Sequence, residues 1–296
     1  YFCLLNSDVE VTAGWVDTIT SFMDTHPDVA ICQPKLLSQI EKTQFEYAGA
    51  CGGFIDKFGY PFCRGRMFST LEKDEGQYNQ PCDIFWATGA CMFVRSEVYR
   101  NIGGLDADFF AHMEEIDFCW RVKNAGYRIA CCPAATVYHL GGATLPKSSS
   151  RKTYLNFRNN WLMLYKNLPQ KRLFPVFAMR WLSDIVAAFR FLTDSGWGDF
   201  KAVFKAHRDF LRILPQTRKK RAQINHPAGT IKDIYKLTES NVLIKGMFLS
   251  LRIVSNVVNA LNVLDILNSI GSAVISSSKD NENISVMSAE DSENRK

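Results

Sequence analysis

Asp8-Val9-Glu10 follows the apolar run Tyr1-Phe2-Cys3-Leu4-Leu5, so its two acids fall at the carboxyl end of a predicted strand. In open α/β sheets ligands bind in the crevice beyond such strand ends. Hard oxygen donors in a D-x-E suit Mg²⁺ or Mn²⁺ bridging a diphosphate. The tripeptide alone also fits an ordinary acid in the turn between a strand and a helix. His139 ends another short predicted strand and is followed by Leu140-Gly141-Gly142, which opens the backbone beside the ring. A lone histidine is more often packed than a ligand; read with Asp8, its imidazole favours Mn²⁺ slightly over Mg²⁺.

Glu114-Glu115-Ile116-Asp117 puts three carboxylates at the start of a predicted helix, where the macrodipole accepts them for structural reasons alone. Helical spacing separates them. Asp117 and Arg121 form an i,i+4 pair that keeps this aspartate ionised and structural. Glu115 lies over Phe118, Cys119 and Val122, an apolar wall without a built-in cation. Desolvation of that kind raises a carboxylate toward the range of a general base, although a solvated first-turn acid fits the same pattern. Trp86-Ala87-Thr88-Gly89-Ala90 joins an aromatic ring to a tight turn, usable for stacking a sugar and equally a core tryptophan beside a turn.

These residues need a scaffold. Residues 1–5 read as a strand, Thr12 as the N-cap of a helix from about Ala13 to Thr25, and Val29 to Gln33 as the next strand, together a β-α-β unit and an α/β sheet. The glycines and aromatics of 45–66 predict hairpins and a long loop. Strands are expected at 84–87, 91–94, 128–132 and 136–139, and a helix over Glu114 to Asn124. From Arg151 the pattern turns helical, with helices near 151–168, 171–192 and 197–214. The expected divisions are a sheet domain over 1–145, a basic helical extension over 146–226, an amphipathic apolar segment over 227–275 and a disordered tail over 276–296.

Charge is split along the chain. Residues 1–140 carry 11 Lys and Arg against 18 Asp and Glu, whereas 141–226 carry 17 against 4. Cations there alternate with aromatics, such as Arg180, Arg190, Lys201, Lys205, Arg208 and Arg212 among Phe174, Phe177, Trp181, Phe189, Phe204 and Phe210. That is the pattern of helices lying on an anionic membrane surface, expected over 151–221, and also of a packed extension with a solvated basic face. No nucleic-acid-binding module is readable. All nine cysteines lie between Cys3 and Cys132 without zinc spacing, which reads as thiols in a reducing cytoplasm.

In order and spacing, Leu4-Leu5-Asn6-Ser7-Asp8-Val9-Glu10-Val11, Trp86-Ala87-Thr88-Gly89-Ala90-Cys91-Met92, Phe109 to Arg121 and Val137-Tyr138-His139-Leu140-Gly141-Gly142 together resemble the bacterial family 2 glycosyltransferases. The likeness is greatest to the rhamnosyltransferase-like members and covers about residues 1–168. It implies a GT-A, Rossmann-like mixed sheet that starts after the first nucleotide-binding strands, followed by a mostly helical extension. It implies that Asp8 and His139 hold Mg²⁺ or Mn²⁺ and that Asn6, Ser7, Asp8 and Glu10 meet the donor. Glu115 then falls at the catalytic base, and Trp86, Thr88, Gly89 and Glu114 line the acceptor side.

Glu10 stands where the family's D-x-D ends in Asp, and Glu115 where Asp is commoner. The implied reaction is transfer, with inversion, from a nucleotide-diphosphate sugar to a hydroxyl of a glycan or lipid-linked acceptor in cell-surface polysaccharide synthesis. The implied location is the cytoplasm, peripheral on the cytoplasmic membrane face. The alternative is an inactive fragment serving as a membrane-surface or protein-interaction element.

Overall fold

Strands β1 (Phe2–Leu5) and β2 (Val9–Val11) flank the turn that carries Asp8. Helix α1 (Trp15–Thr25) follows, with Ile19 and Met23 on its buried side. β3 (Val29–Ser38) is buried almost throughout, as a strand covered on both faces must be. β4 (Gly53–Ile55), β5 (Pro61–Cys63), β6 (Arg66–Met67) and β7 (Thr70–Leu71) form a small antiparallel sheet that begins in the predicted hairpin region and runs past its end at residue 66. β8 (Cys82–Asp83), β9 (Cys91–Val94), helix α2 (Ser96–Ile102), a 3₁₀ turn at Ala107–Phe109, α3 (Glu114–Asn124) and β10 (Arg128–His139) complete the sheet region. Three long helices follow: α4 (Ser150–Asn167), α5 (Gln170–Asp194) and α6 (Trp197–Ala222). This computed structural model describes residues 1–67, 70–141 and 149–224. The apolar segment and tail expected over 227–296 lie outside the described residues, as does Gly142.

The main sheet runs β1-β9-β3-β10-β2, with β8 also on β10. β3 and β10 are parallel, and the other pairs are antiparallel. The α/β class with a mixed sheet is as expected, but the β-α-β unit is not a pair of neighbours. β9 lies between β1 and β3, antiparallel to both. The run 84–87 forms no strand, only an isolated bridge from Trp86 to Gly53. Conversely, the two strands expected at 128–132 and 136–139 are one, broken by a bulge between Cys132 and Thr136, where Pro133 has no N–H for a ladder bond. Thr12 does not cap α1. Its hydroxyl donates to the Thr136 carbonyl at 2.7 Å, and the helix begins after Gly14, which has a φ of 72°.

One side of the sheet packs on α1 through Ile19, Met23, Cys32, Leu36 and Val137. The other packs on α3, where Phe118 and Trp120 are buried and Trp120 meets Phe85 edge-on at 5.2 Å. Each such side chain contributes about 1.5–3 kcal/mol by leaving water. The long helices are tied to this layer by charge. Lys166 of α4 reaches Asp117 at 2.8 Å and Asp106 at 2.6 Å, and Lys220 of α6 reaches Asp106 at 2.5 Å and Asp108 at 2.6 Å. Part of the basic extension thus neutralises acids of the preceding region. No helix among the described residues is long and apolar enough to cross a membrane.

Candidate active site

The register of β2 on β10 sets Val9 opposite His139 and so brings Asp8 beside the ring. Asp8 Oδ1 lies 3.3 Å from His139 Nε2, and the Asn6 side-chain nitrogen lies 3.5 Å from the same atom. On the other side of the ring, Glu46 Oε1 lies 3.3 Å from Nδ1. Burial alone would lower the His139 pKa, but the carboxylates of Glu46 and Asp8 outweigh it and the net shift is upward. Asn6 also connects this pair to the next motif, because its N–H donates to the Ala90 carbonyl at 3.0 Å.

Ala90 follows Gly89, and Gly89 faces Glu115: a Cβ at position 89 would stand 3.8 Å from the Glu115 Cβ. Glu115 Oε2 is closed off from solvent and has no hydrogen-bond partner among the described residues. Burial first, and the neighbouring Glu114 carboxylate second, push Glu115 up to about 8. Glu114 is raised as well, by burial. Asp117 differs as the spacing predicted: it pairs with Arg121 at 2.9 Å and with Lys166, and Asn167 donates to it at 2.8 Å. One helix turn therefore holds a compensated aspartate and an uncompensated glutamate.

The segment entering α3 is strained. Phe110, His112 and Met113 have φ of 65°, 69° and 71°, a region that costs side-chain-bearing residues about 1–3 kcal/mol each. Phe110 is the centre of a three-residue γ-turn closed by Ala111 N–H to the Phe109 carbonyl at 2.8 Å. Fully buried Asn159 of α4 holds the segment, its amide lying 2.9, 2.7 and 2.8 Å from the carbonyls of Phe109, Ala111 and His112. Arg158 donates to the carbonyls of Asp108 and Phe109. Helix α4 thereby fixes the backbone that delivers Glu114 and Glu115.

Other predicted residues fall elsewhere. Trp86 is 4 % exposed, packs its ring over Gly53 and donates its indole N–H to the Phe54 carbonyl at 2.8 Å. Its faces are occupied by the protein, so in this conformation it offers no stacking platform. Thr88 is buried and braces the turn, its hydroxyl accepting from Ala90 N–H at 3.2 Å. Glu10 alternates away from the Asp8 cluster and pairs with Lys42 at 2.6 Å. Ser7 is exposed on the turn. Glu46 and Asn159 escaped the sequence reading. Glu46 lies in a glycine-rich stretch without periodicity, whereas Asn159-Asn160 inside a helical apolar pattern was a visible signal of a buried polar contact.

One carboxylate oxygen and one imidazole nitrogen converge at Asp8 and His139, a donor set that fits a divalent cation filling its remaining positions with phosphate oxygens and water. Among the described residues there is no group of three His, Cys, Asp or Glu side chains that could hold a metal ion by themselves. Residues 79–162 match the family model described as glycosyltransferase like family 2. Over these residues the chain is similar to family 2 glycosyltransferases. It is similar to the low-salt glycan biosynthesis hexosyltransferase Agl10 of Haloferax volcanii, 35% identical over 77 residues, which are 26% of this chain and 25% of that protein. It is also similar to the pre-mycofactocin glycosyltransferase of Mycobacterium tuberculosis, 28% identical over 160 residues, 52% of this chain and 30% of the relative. The N-acetylglucosaminyl-diphospho-decaprenol L-rhamnosyltransferase of the same species is 29% identical over 79 residues, 27% of this chain and 26% of that enzyme. The chain thus spans about a quarter to a third of the length of these curated relatives. The family 2 match contains Trp86, Gly89, Glu114, Glu115 and Asn159.

Proposed function

We propose that this family 2 chain transfers a sugar from a nucleotide-diphosphate sugar to a hydroxyl of a glycan or lipid-linked acceptor, by single displacement with inversion, in cell-surface polysaccharide synthesis. The observation that carries the reading is Glu115: a desolvated carboxylate without a cation, pushed up to about 8, set against a glycine turn. A general base is best matched when its pKa lies near the working pH. Glu115 accepts the acceptor hydroxyl's proton as that oxygen bonds to the anomeric carbon and the bond from that carbon to the diphosphate oxygen breaks. Asn159 and Arg158 hold the base's backbone in place during this step. Asp8 and His139 would hold a divalent cation, which would supply positive charge against the departing diphosphate. The names of the relatives, a hexosyltransferase and a rhamnosyltransferase acting on a diphospho-decaprenol-linked sugar among them, support sugar transfer and a lipid-linked acceptor.

The helices support attachment to an anionic membrane surface on the cytoplasmic side. On α5, Phe174, Trp181, Leu182 and Phe189 are exposed at helical spacing, and on α6 Trp197, Phe204 and Leu211 alternate with exposed Lys201, Lys205, Arg208 and Arg212. Apolar rings flanked by cations fit the lipid headgroup boundary. Arg180 is no part of that face. It is buried, lies 3.5 Å from Asp184 and stacks on Tyr60 at 3.8 Å. Phe177 and Phe210 pack on Trp161.

Calorimetry with a panel of nucleotide-sugars, with and without Mn²⁺, tests the donor half of the proposal. Metal-dependent binding of one donor supports it, whereas a folded protein that binds none removes its foundation.

A further inference from the structure

We propose that Glu46 is the positioning residue of the Asp8 and His139 pair: it holds the His139 ring so that Nε2 is presented to Asp8 and to a divalent cation there. The inference rests on the cation-site reading of that pair and adds to it a residue from a separate part of the chain.

An imidazole binds a cation through the nitrogen that carries no proton, so its proton must sit on the nitrogen facing away. In this structure the nitrogen facing away from Asp8 is Nδ1, and the Glu46 carboxylate oxygen Oε1 lies 3.3 Å from it. Nδ1 is shut off from solvent and has no hydrogen-bond partner among the described residues, so the Glu46 oxygen faces it as an ion-pair contact. Glu46 is itself placed firmly. It is 4 % exposed, its Oε2 accepts from Ala48 N–H at 2.5 Å, and its own N–H donates to the Leu36 carbonyl of β3 at 3.0 Å. β3 is the parallel neighbour of β10, with Ser38 in register with His139. The carboxylate is therefore pinned from the strand adjacent to the ring it faces.

Gly141 completes the arrangement. It adopts a φ of 65°, and a Cβ there would stand 2.9 Å from Glu46 Oε1. The glycine two residues after His139 thus leaves the space that the carboxylate oxygen occupies. A glutamine at position 46 keeps the shape but has one acceptor oxygen, so it cannot serve both Ala48 N–H and His139 Nδ1.

The test is titration with Mn²⁺ alone, followed by electron paramagnetic resonance, on the unmodified chain and on Glu46→Gln, Gly141→Ala and His139→Ala. His139→Ala should lose most of the affinity. Glu46→Gln should weaken binding by about 10–100-fold, the usual effect of removing an outer carboxylate behind a ligating histidine. Gly141→Ala, which keeps the carboxylate but displaces it, should weaken binding in the same direction and carries the test if the glutamine variant does not fold. Nitrogen chemical shifts of the His139 ring without metal should show the proton fixed toward Glu46 in the unmodified chain and redistributed in Glu46→Gln. Equal Mn²⁺ affinity for the unmodified chain and both of these variants, with His139→Ala impaired, overturns the role of Glu46 and leaves the cation pair standing. No Mn²⁺ binding by the unmodified chain overturns both.

Discussion

Gly89 and Glu115 face each other with no side chain between them, and a methyl at position 89 would stand 3.8 Å from the Glu115 Cβ. That is ordinary contact distance, so Gly89→Ala should keep stability within about 1 kcal/mol and leave turnover within a few-fold. Gly89→Leu should set a bulky side chain against Glu115 and lower turnover more than tenfold while shifting the melting temperature little. Full turnover in the leucine variant would mean that the acceptor does not approach Glu115 from this side.

The base must be ionised to work, so turnover should rise with pH and level off only above about 8, the range to which Glu115 is raised. Stability should run the other way. Below the ordinary glutamate value of 4.5 both folded and unfolded chains hold the proton; between 4.5 and about 8 the folded chain holds it and the unfolded chain does not. Folding stability from this group is therefore lost as pH rises through that window. Glu115→Gln should abolish the pH-dependent turnover and make the melting temperature less sensitive to pH between 5 and 8. A variant with the unmodified pH profile would remove Glu115 from the role of base.

Asn159 supplies the amide that faces three carbonyls of the strained segment. Asn159→Ala leaves these acceptors without that donor, at a cost of about 1–3 kcal/mol. The loss should be local: hydrogen exchange should quicken over residues 110–116 first, and turnover should fall through kcat more than through the donor KM. Uniform quickening across the sheet would assign Asn159 to general packing instead.

Lys166 links α4 to the acids of the preceding region, and Lys166→Met should cost about 1.5–3 kcal/mol, the loss of a charged hydrogen bond at Asp117, which keeps Arg121. The same cluster sets acid sensitivity. Burial alone would raise Asp106, but Lys166 and Lys220 outweigh it and hold it at about 2. A carboxylate depressed in the folded state stabilises above its ordinary value of 3.8 and loses that contribution as pH falls toward 2. Acid titration of Asp106→Asn should show a shallower loss of stability over that range; an unchanged curve would show that Asp106 is not what acid acts on.

The helix with Glu114, Glu115 and Asp117 was readable to the residue, because charge spacing and apolar periodicity agree there. The three long helices were readable for the same reason, although α6 runs on past Pro215. Strand neighbours were not readable. Nothing local in Tyr1-Phe2-Cys3-Leu4-Leu5 tells that β9 inserts between β1 and β3, since pairing depends on residues some ninety positions away. The contact of Asp8 with His139 follows from the β2–β10 register and was legible only through the resemblance. Glu46 had no signal at all, and the two readings of Trp86, stacking platform or core ring, could not be told apart because an aromatic beside a turn looks the same whether it is buried or exposed; the structure buries it.

Attachment to anionic lipid is checked by flotation with vesicles of phosphatidylglycerol and phosphatidylcholine. The unmodified chain should float at low salt and less at high salt. Replacing Trp181 and Phe174 by Ser should reduce flotation at both, since it removes exposed apolar area and leaves charge intact. Absence of flotation at low salt would refute the membrane reading.

The decisive measurement is the product formed from a nucleotide-sugar panel, Mn²⁺ and a polyprenyl-diphosphate-linked sugar acceptor, with its anomeric configuration determined by NMR for the unmodified protein and for Glu115→Gln. A glycoside of inverted configuration that is absent from the glutamine variant is the expected result. Retained configuration, or undiminished transfer by Glu115→Gln, would contradict single displacement with Glu115 as the base.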